Sequence, residues 1–158
     1  MASKNKIGRP VALDDPASLE NSIPFLLHRI SDVFARKMLS DLRPHGFNVG
    51  RWRVLSSVRS LGGEVAIGDL AAFIGIRQPV VSRIVSEMEA DGLLKRKPHK
   101  DDQRIIFVRL TAAGEKKFDE ILPLIQARRD DAVAGIAAAD RKKLIATLRA
   151  IESNLGIS

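Results

Sequence analysis

The sequence predicts a mainly α-helical chain with one small β-hairpin set among the helices. Three observations carry this. Apolar residues recur at helical spacing through most of the chain, whereas one stretch, Leu93 to Leu110, switches to strict alternation. Gly and Pro fall at the joints between these patterns. The chain has 158 residues, of which 45% are hydrophobic, enough for one domain with helical extensions.

In chain order, residues 1–17 read as a flexible basic arm. Lys4, Lys6 and Arg9 supply charge, Pro10 and Pro16 interrupt any helix, and Gly8-Arg9-Pro10 resembles part of a minor-groove hook. A long helix is expected from Ser18 to about Leu42. Its stripe of Ile23, Leu26, Leu27, Ile30, Val33, Phe34, Met38 and Leu42 is broader than packing on one neighbour requires. Pro44 and Gly46 end it. A second helix, about Val49 to Leu61, turns Trp52, Leu55, Val58 and Leu61 inward and stops at Gly62-Gly63.

A short extended piece at Glu64 to Ile67 precedes two short helices, Gly68 to Ile74 and Gln78 to about Asp91. In the next stretch Ile106, Val108 and Leu110 alternate with Ile105, Phe107 and Arg109, and a polar loop, Pro98 to Gln103, precedes them. This is a hairpin with a solvated tip. Thr111 is expected to cap a helix running to about Gly135, kinked at Pro123. Asp140 is expected to cap the last helix. There Leu144, Leu148, Ile151 and Leu155, spaced four, three and four apart, form a seam for another helix, and Gly156 closes it.

Composition narrows the function classes. Lys and Arg number 26 against 19 Asp and Glu, a net charge of +7, which favours a polyanionic partner. Aromatic residues make up only 4%, too few for a base-stacking single-strand platform. Without cysteine there is no disulfide scaffold, Cys-ligated zinc site or thiol switch. No metal or other cofactor is expected. No apolar run reaches the roughly 20 residues of a bilayer span, and the basic start lacks a signal peptide's apolar core. A cytoplasmic location without a membrane partner is expected.

The informative block is Asp69 to Asp91. Ala71 is small where two crossing helices touch, and Gly75 permits the sharp turn between Ile74 and Ile76. Val81, Ile84, Val85 and Met88 form the buried stripe of the second helix. These spacings match a helix-turn-helix. The outer face of that second helix carries Gln78, Ser82, Arg83 and Ser86, with Pro79 in the first turn. Gln pairs with adenine and Arg with guanine through two hydrogen bonds each, and Ser reaches a base or a phosphate. In the hairpin, Lys95, Lys97 and Lys100 are placed to meet phosphates, and Arg96 adds to the cluster. Arg104 is the candidate for insertion into a narrow minor groove, with Asp102 holding its guanidinium. The partner expected is double-stranded DNA.

These residues carry a family resemblance. Asp102-Gln103-Arg104, then Ile105 to Arg109, then Leu110-Thr111-Ala112-Ala113-Gly114 is similar to the Asp-x-Arg wing and Leu-Thr-x-x-Gly run of the MarR family of bacterial regulators. Val81-Ser82-Arg83-Ile84-Val85 and Glu89-Ala90-Asp91-Gly92-Leu93-Leu94 resemble its recognition helix and wing entry, and Trp52 and Leu122-Pro123 are also typical. The resemblance runs from about residue 18 to the C-terminus. It implies a winged helix-turn-helix over 48–111 and a helical dimerisation region over 18–47 and 112–158, hence a homodimer on a pseudo-palindromic operator. It also implies a repressor released by a small ligand, often an aromatic carboxylate or phenolic compound. A CoA thioester is a further chemistry that spare basic residues would suit. The family's ligand cleft would be approached by His28, Arg29, Asp32, Trp52 and Arg53. Trp52 would stack on a ring or else serve as core, and the arginines would neutralise a carboxylate or else sit as surface residues.

Two other readings stay open: a winged-helix DNA-binding protein without an effector, and a protein-interaction module. An enzyme is not expected. His28, His45 and His99 lie in unrelated segments, and neither a Gly-rich phosphate loop nor a nucleophile elbow is present.

Overall fold

The computed structural model describes residues 19–157, so the basic arm expected over 1–17 and Ser18 lie outside the described residues. The chain divides after Lys37 into two compact units. In the first, a 3₁₀ turn at Leu19–Asn21 leads into α1 (Ile23–Leu42). The helix begins at Ile23 rather than Ser18 because of Pro24. Proline fits the first turn, but in a helix already running from Ser18 it would meet the carbonyl one turn back. Ile23, Leu26, Leu27, Ile30 and Val33 stay exposed in this unit.

The second unit starts with the last turn of α1, where Met38 and Leu42 are buried. A 3₁₀ turn at Arg43–His45 contains Pro44. Asn48 then caps α2 (Val49–Ser60) by accepting from the Arg51 N–H at 2.9 Å. There follow β1 (Val65–Ala66), α3 (Ile67–Ile74), α4 (Gln78–Ala90), β2 (Leu94–Pro98), β3 (Ile106–Leu110), α5 (Ala112–Ala132) and α6 (Ala138–Asn154). Helices α2, α3 and α4 pack on one another and, through α2 and α3, on β3. Leu55, Leu70, Val81, Val85, Met88 and Val108 are all fully buried in this core, each burial contributing about 1.5–3 kcal/mol.

The sheet is antiparallel in the order β1-β3-β2, with β3 in the middle. Val65 pairs with Val108 on one side, and Leu94 with Leu110 through Pro98 with Ile106 on the other. The exit from β3 explains the Leu-Thr-x-x-Gly run. Thr111 caps α5, accepting from the Gly114 N–H at 3.1 Å, while its hydroxyl donates to the Gly92 carbonyl at 2.6 Å. A side chain at Gly114 would place its Cβ 2.1 Å from the Leu93 carbonyl oxygen, so only glycine lets α5 approach the start of the hairpin.

A bidentate pair ties α5 to the last turn of α1: Arg128 donates to both Asp41 oxygens at 2.9 Å. These hydrogen bonds hold the Asp41 carboxyl below its ordinary range. Helix α5 ends at Ala132, short of Gly135, and carries Pro123 within it. Asp140 does not cap the last helix. Ala137 is the cap residue, without a side-chain bond, because the turn after α5 returns to helix three residues earlier. Asp140 instead lies in the first turn, where its charge suits the helix dipole. Helix α6 buries none of its residues. Among the described residues no helix is long and apolar enough to cross a membrane, and no cluster of His, Cys, Asp and Glu is built to hold a metal.

Candidate nucleic-acid interface

Helices α3 and α4 are joined by a turn that depends on Gly75. Its φ of 73° is left-handed, and its N–H donates to the carbonyls of Ala71 and Ala72 at 3.0 and 3.1 Å. Ala71 is buried at the crossing, and Ile74 and Ile76 are half-buried beside it. Val81, Ile84, Val85 and Met88 anchor α4 inward. The opposite face is thereby fixed outward, with Gln78 and Arg83 exposed and Ser82 half-buried. Arg83 is only loosely held, its Nε 3.9 Å from Glu87 one turn on.

The hairpin places Lys95, Arg96 and Lys97 on β2 and Lys100, Asp102 and Arg104 at its tip. The expected clamp is present. Arg104 Nε donates to Asp102 Oδ1 at 3.1 Å and its terminal nitrogen to Oδ2 at 3.2 Å. The Arg104 backbone N–H also reaches Oδ1, at 3.0 Å. These bonds, that from the Arg104 side chain foremost, hold the Asp102 carboxyl below its ordinary range. The Arg104 side chain is nonetheless 91% exposed, so the clamp orients the guanidinium without hiding it. Gln78 and Ser82 of α4 and Arg104 of the wing line one open cleft of about 510 Å³, together with Asp69 and His99. Lys95, Lys97 and Lys100 are exposed along the same hairpin.

Two residues serve the interface from behind. Ser86 is engaged within the protein: its hydroxyl donates to the Ser82 carbonyl at 3.0 Å and accepts from Arg96 at 2.9 Å. Arg96 also donates to Glu89 from its backbone N–H at 2.8 Å and from Nε at 2.6 Å. The backbone bond is the first cause, and the side-chain bond a further one, of the lowered Glu89 carboxyl pKa. Arg96 is therefore a strut fastening the wing to α4. Glu89 escaped the sequence reading because it meets Arg96 only across the chain reversal at Gly92. The signal was an acid on the recognition helix seven residues before an arginine of a basic strand.

The residues expected at a ligand cleft divide between the two units. In the first unit His28 is exposed, Arg29 lies over the Phe25 ring at 5.5 Å, and Asp32 pairs with Arg36 on its own helix. In the second, Arg53 is exposed on α2, whereas Trp52 is buried. The Trp52 ring stacks on Phe118 with centroids 5.4 Å apart, so it is a core ring rather than an open platform.

A model of the MarR family matches residues 45–105. The crystal structure of a MarR-family transcriptional regulator from Silicibacter pomeroyi is 31% identical, covering 86% of this chain and 91% of that one, with a TM-score of 0.77. Bordetella bronchiseptica BpsR, whose DNA binding is regulated by 6-hydroxynicotinic acid, shares the fold at 21% identity, with coverage of 82% and 98% and a TM-score of 0.75. A mutant E. coli MarR complexed with operator DNA shares it at 20% identity, with coverage of 82% and 94% and a TM-score of 0.72. With its exposed recognition helix, clamped wing arginine and 31% identity to the Silicibacter protein, the chain belongs to the MarR family of winged-helix DNA-binding transcriptional regulators.

Proposed function

We propose that the protein is a homodimeric repressor that holds a pseudo-palindromic operator and releases it when a small organic acid binds. The observation that carries the DNA half of this reading is the shared cleft of Gln78, Ser82 and Arg104. Base-reading groups on a helix and a pre-oriented arginine on a wing suit adjacent major and minor grooves. The winged helix-turn-helix over 48–111 reads DNA in this proposal, and segments 18–47 and 112–158 carry dimerisation. Two copies address half-sites about one helical turn apart. Support for an effector comes from BpsR, regulated by 6-hydroxynicotinic acid. An aromatic carboxylate is the ligand class proposed, with its CoA thioester, whose phosphates keep the negative charge, as a second form. Such a ligand acts only by binding the DNA-competent and DNA-incompetent forms with different affinity.

The test is fluorescence anisotropy on the DNA upstream of the protein's own gene, against a scrambled duplex, over a salt series. Tight, selective binding with a steep salt slope supports the reading. Unselective, salt-insensitive binding favours a protein-interaction module. Aromatic acids are then added to the complex. Release at concentrations that also raise the protein's melting temperature identifies an effector, and a uniformly inert series leaves a regulator without one.

Arg83 tests base reading directly. Its exposed, loosely paired guanidinium is expected to contact one base per half-site, so Arg83→Ala should cost about 1–3 kcal/mol and relax preference at that position only. Affinities for duplexes carrying single-base changes measure this. An equal loss on every duplex would make Arg83 a phosphate contact.

A further inference from the structure

The tip of the wing is folded around the imidazole of His99, which lines the cleft beside Gln78, Ser82 and Arg104. His99 Nδ1 accepts from the backbone N–H groups of Asp101 and Asp102 at 3.2 and 3.3 Å. The His99 backbone N–H donates to the Ile105 carbonyl at 2.8 Å, and the Ile105 N–H to the Asp102 carbonyl at 3.0 Å. The ring is half-buried, tilted against Phe107 with centroids 5.7 Å apart. For Nδ1 to accept both N–H groups it must carry no proton of its own, so the arrangement calls for a ring protonated on Nε2 alone. One of the two N–H groups belongs to Asp102, whose carboxylate holds Arg104.

We propose that His99 is a positioning residue for DNA binding: its Nδ1 gathers the N–H groups of the tip so that Asp102 presents Arg104 outward. The proposal rests on the DNA-binding reading above. The chemistry is that of an Asx turn, in which a side-chain acceptor bonds the backbone two residues on. Here the acceptor is a ring nitrogen attached to Cγ, the position an asparagine Oδ1 occupies. Asparagine therefore reproduces the acceptor, glutamine carries its oxygen one bond too far, and alanine has none. Lys100, Asp101, Gln103 and Arg104 are exposed, so loosening the tip removes little buried surface and spares the core.

The experiment uses the full chain and the tightest duplex that wild type recovers from a random-sequence pool, with Arg104→Ala as reference. His99→Ala and His99→Gln are expected to lose about tenfold in affinity, equivalent to 1.4 kcal/mol, at unchanged melting temperature. His99→Asn should stay within about twofold of wild type, since it preserves the Asx-type acceptor. In an Arg104→Ala background His99→Ala should cost nothing more, because both act through one contact. Nitrogen NMR of the free protein should show His99 Nδ1 without a proton. A protonated Nδ1, an asparagine no better than alanine, or additive losses would each overturn the proposal. If wild type binds selectively and Arg104→Ala fails while His99→Ala is unaffected, only the role of His99 falls. If wild type recovers no duplex, the DNA-binding reading falls with it.

Discussion

Arg104→Ala is expected to lower operator affinity by about 1–3 kcal/mol per half-site, and so by about 2–6 kcal/mol for a dimer if its two sites add. The effect is large because the wild-type side chain is ordered before it meets DNA. Asp102 takes two nitrogens along one edge of the guanidinium and the backbone N–H of the same residue, so little rotamer entropy is lost on contact. The 91% exposure leaves the group open to the negative potential of a narrow minor groove. Helical content and melting temperature should not change, since the residue touches nothing in the core. The salt slope should shrink by about 0.9 for each cation that neutralised a phosphate. Undiminished affinity with native circular dichroism would remove the wing arginine from the interface. Asp102→Ala should produce a smaller loss, because it frees the guanidinium without deleting it.

What the sequence showed and what it hid divide along one physical line. Interactions within a single element, or between residues close in sequence, were legible. The stripe Val81, Ile84, Val85 and Met88 came from helical period, the Thr111 cap from its position before a helix, and the Asp102–Arg104 clamp from a spacing of two. Contacts across a chain reversal were not. Ser86 reads as one more polar residue on an outward face, yet its hydroxyl is engaged by Arg96. Arg96 reads as one more cation, yet Glu89 holds it to α4. Trp52 was ambiguous because its environment depends on Phe118, sixty-six positions later. Where residues compete for a helix start, local chemistry alone was misleading: Asp140 is a good cap type, but the turn after α5 had already set the start at Ala138.

The strut and the clamp together say how the wing is built for recognition. Glu89 and Ser86 secure the base of the hairpin to α4, and Asp102 orients its tip. Recognition helix and wing are therefore joined by direct hydrogen bonds, which in the proposed DNA-binding reading lets them meet the duplex together. Affinity then depends on how many such surfaces bind at once.

Charging the outer row of α6 is expected to have the largest effect on operator binding. Leu144 and Leu155 are 50% and 71% exposed, and Ile145 is 60% exposed beside them. Leu148 and Ile151 between them are only half-buried. An apolar row at helix-packing spacing that its own protomer leaves open marks an interaction surface, and a second copy of the chain is the occupant proposed above. Leu144→Glu/Leu148→Glu would force carboxylates into that interface without a partner, which costs several kcal/mol per buried charge. The protomer itself keeps its core, since α6 contributes no buried residue to it. The variant should sediment as a monomer of 17.3 kDa, with wild type at twice that mass. Its affinity for the full operator should fall about 10²–10⁴-fold, because the second half-site is no longer delivered by the first binding event. Binding to an isolated half-site should be unchanged, since α4 and the wing are untouched. A variant that remains dimeric, or a monomer that binds the full operator as tightly as wild type, would place the pairing surface elsewhere.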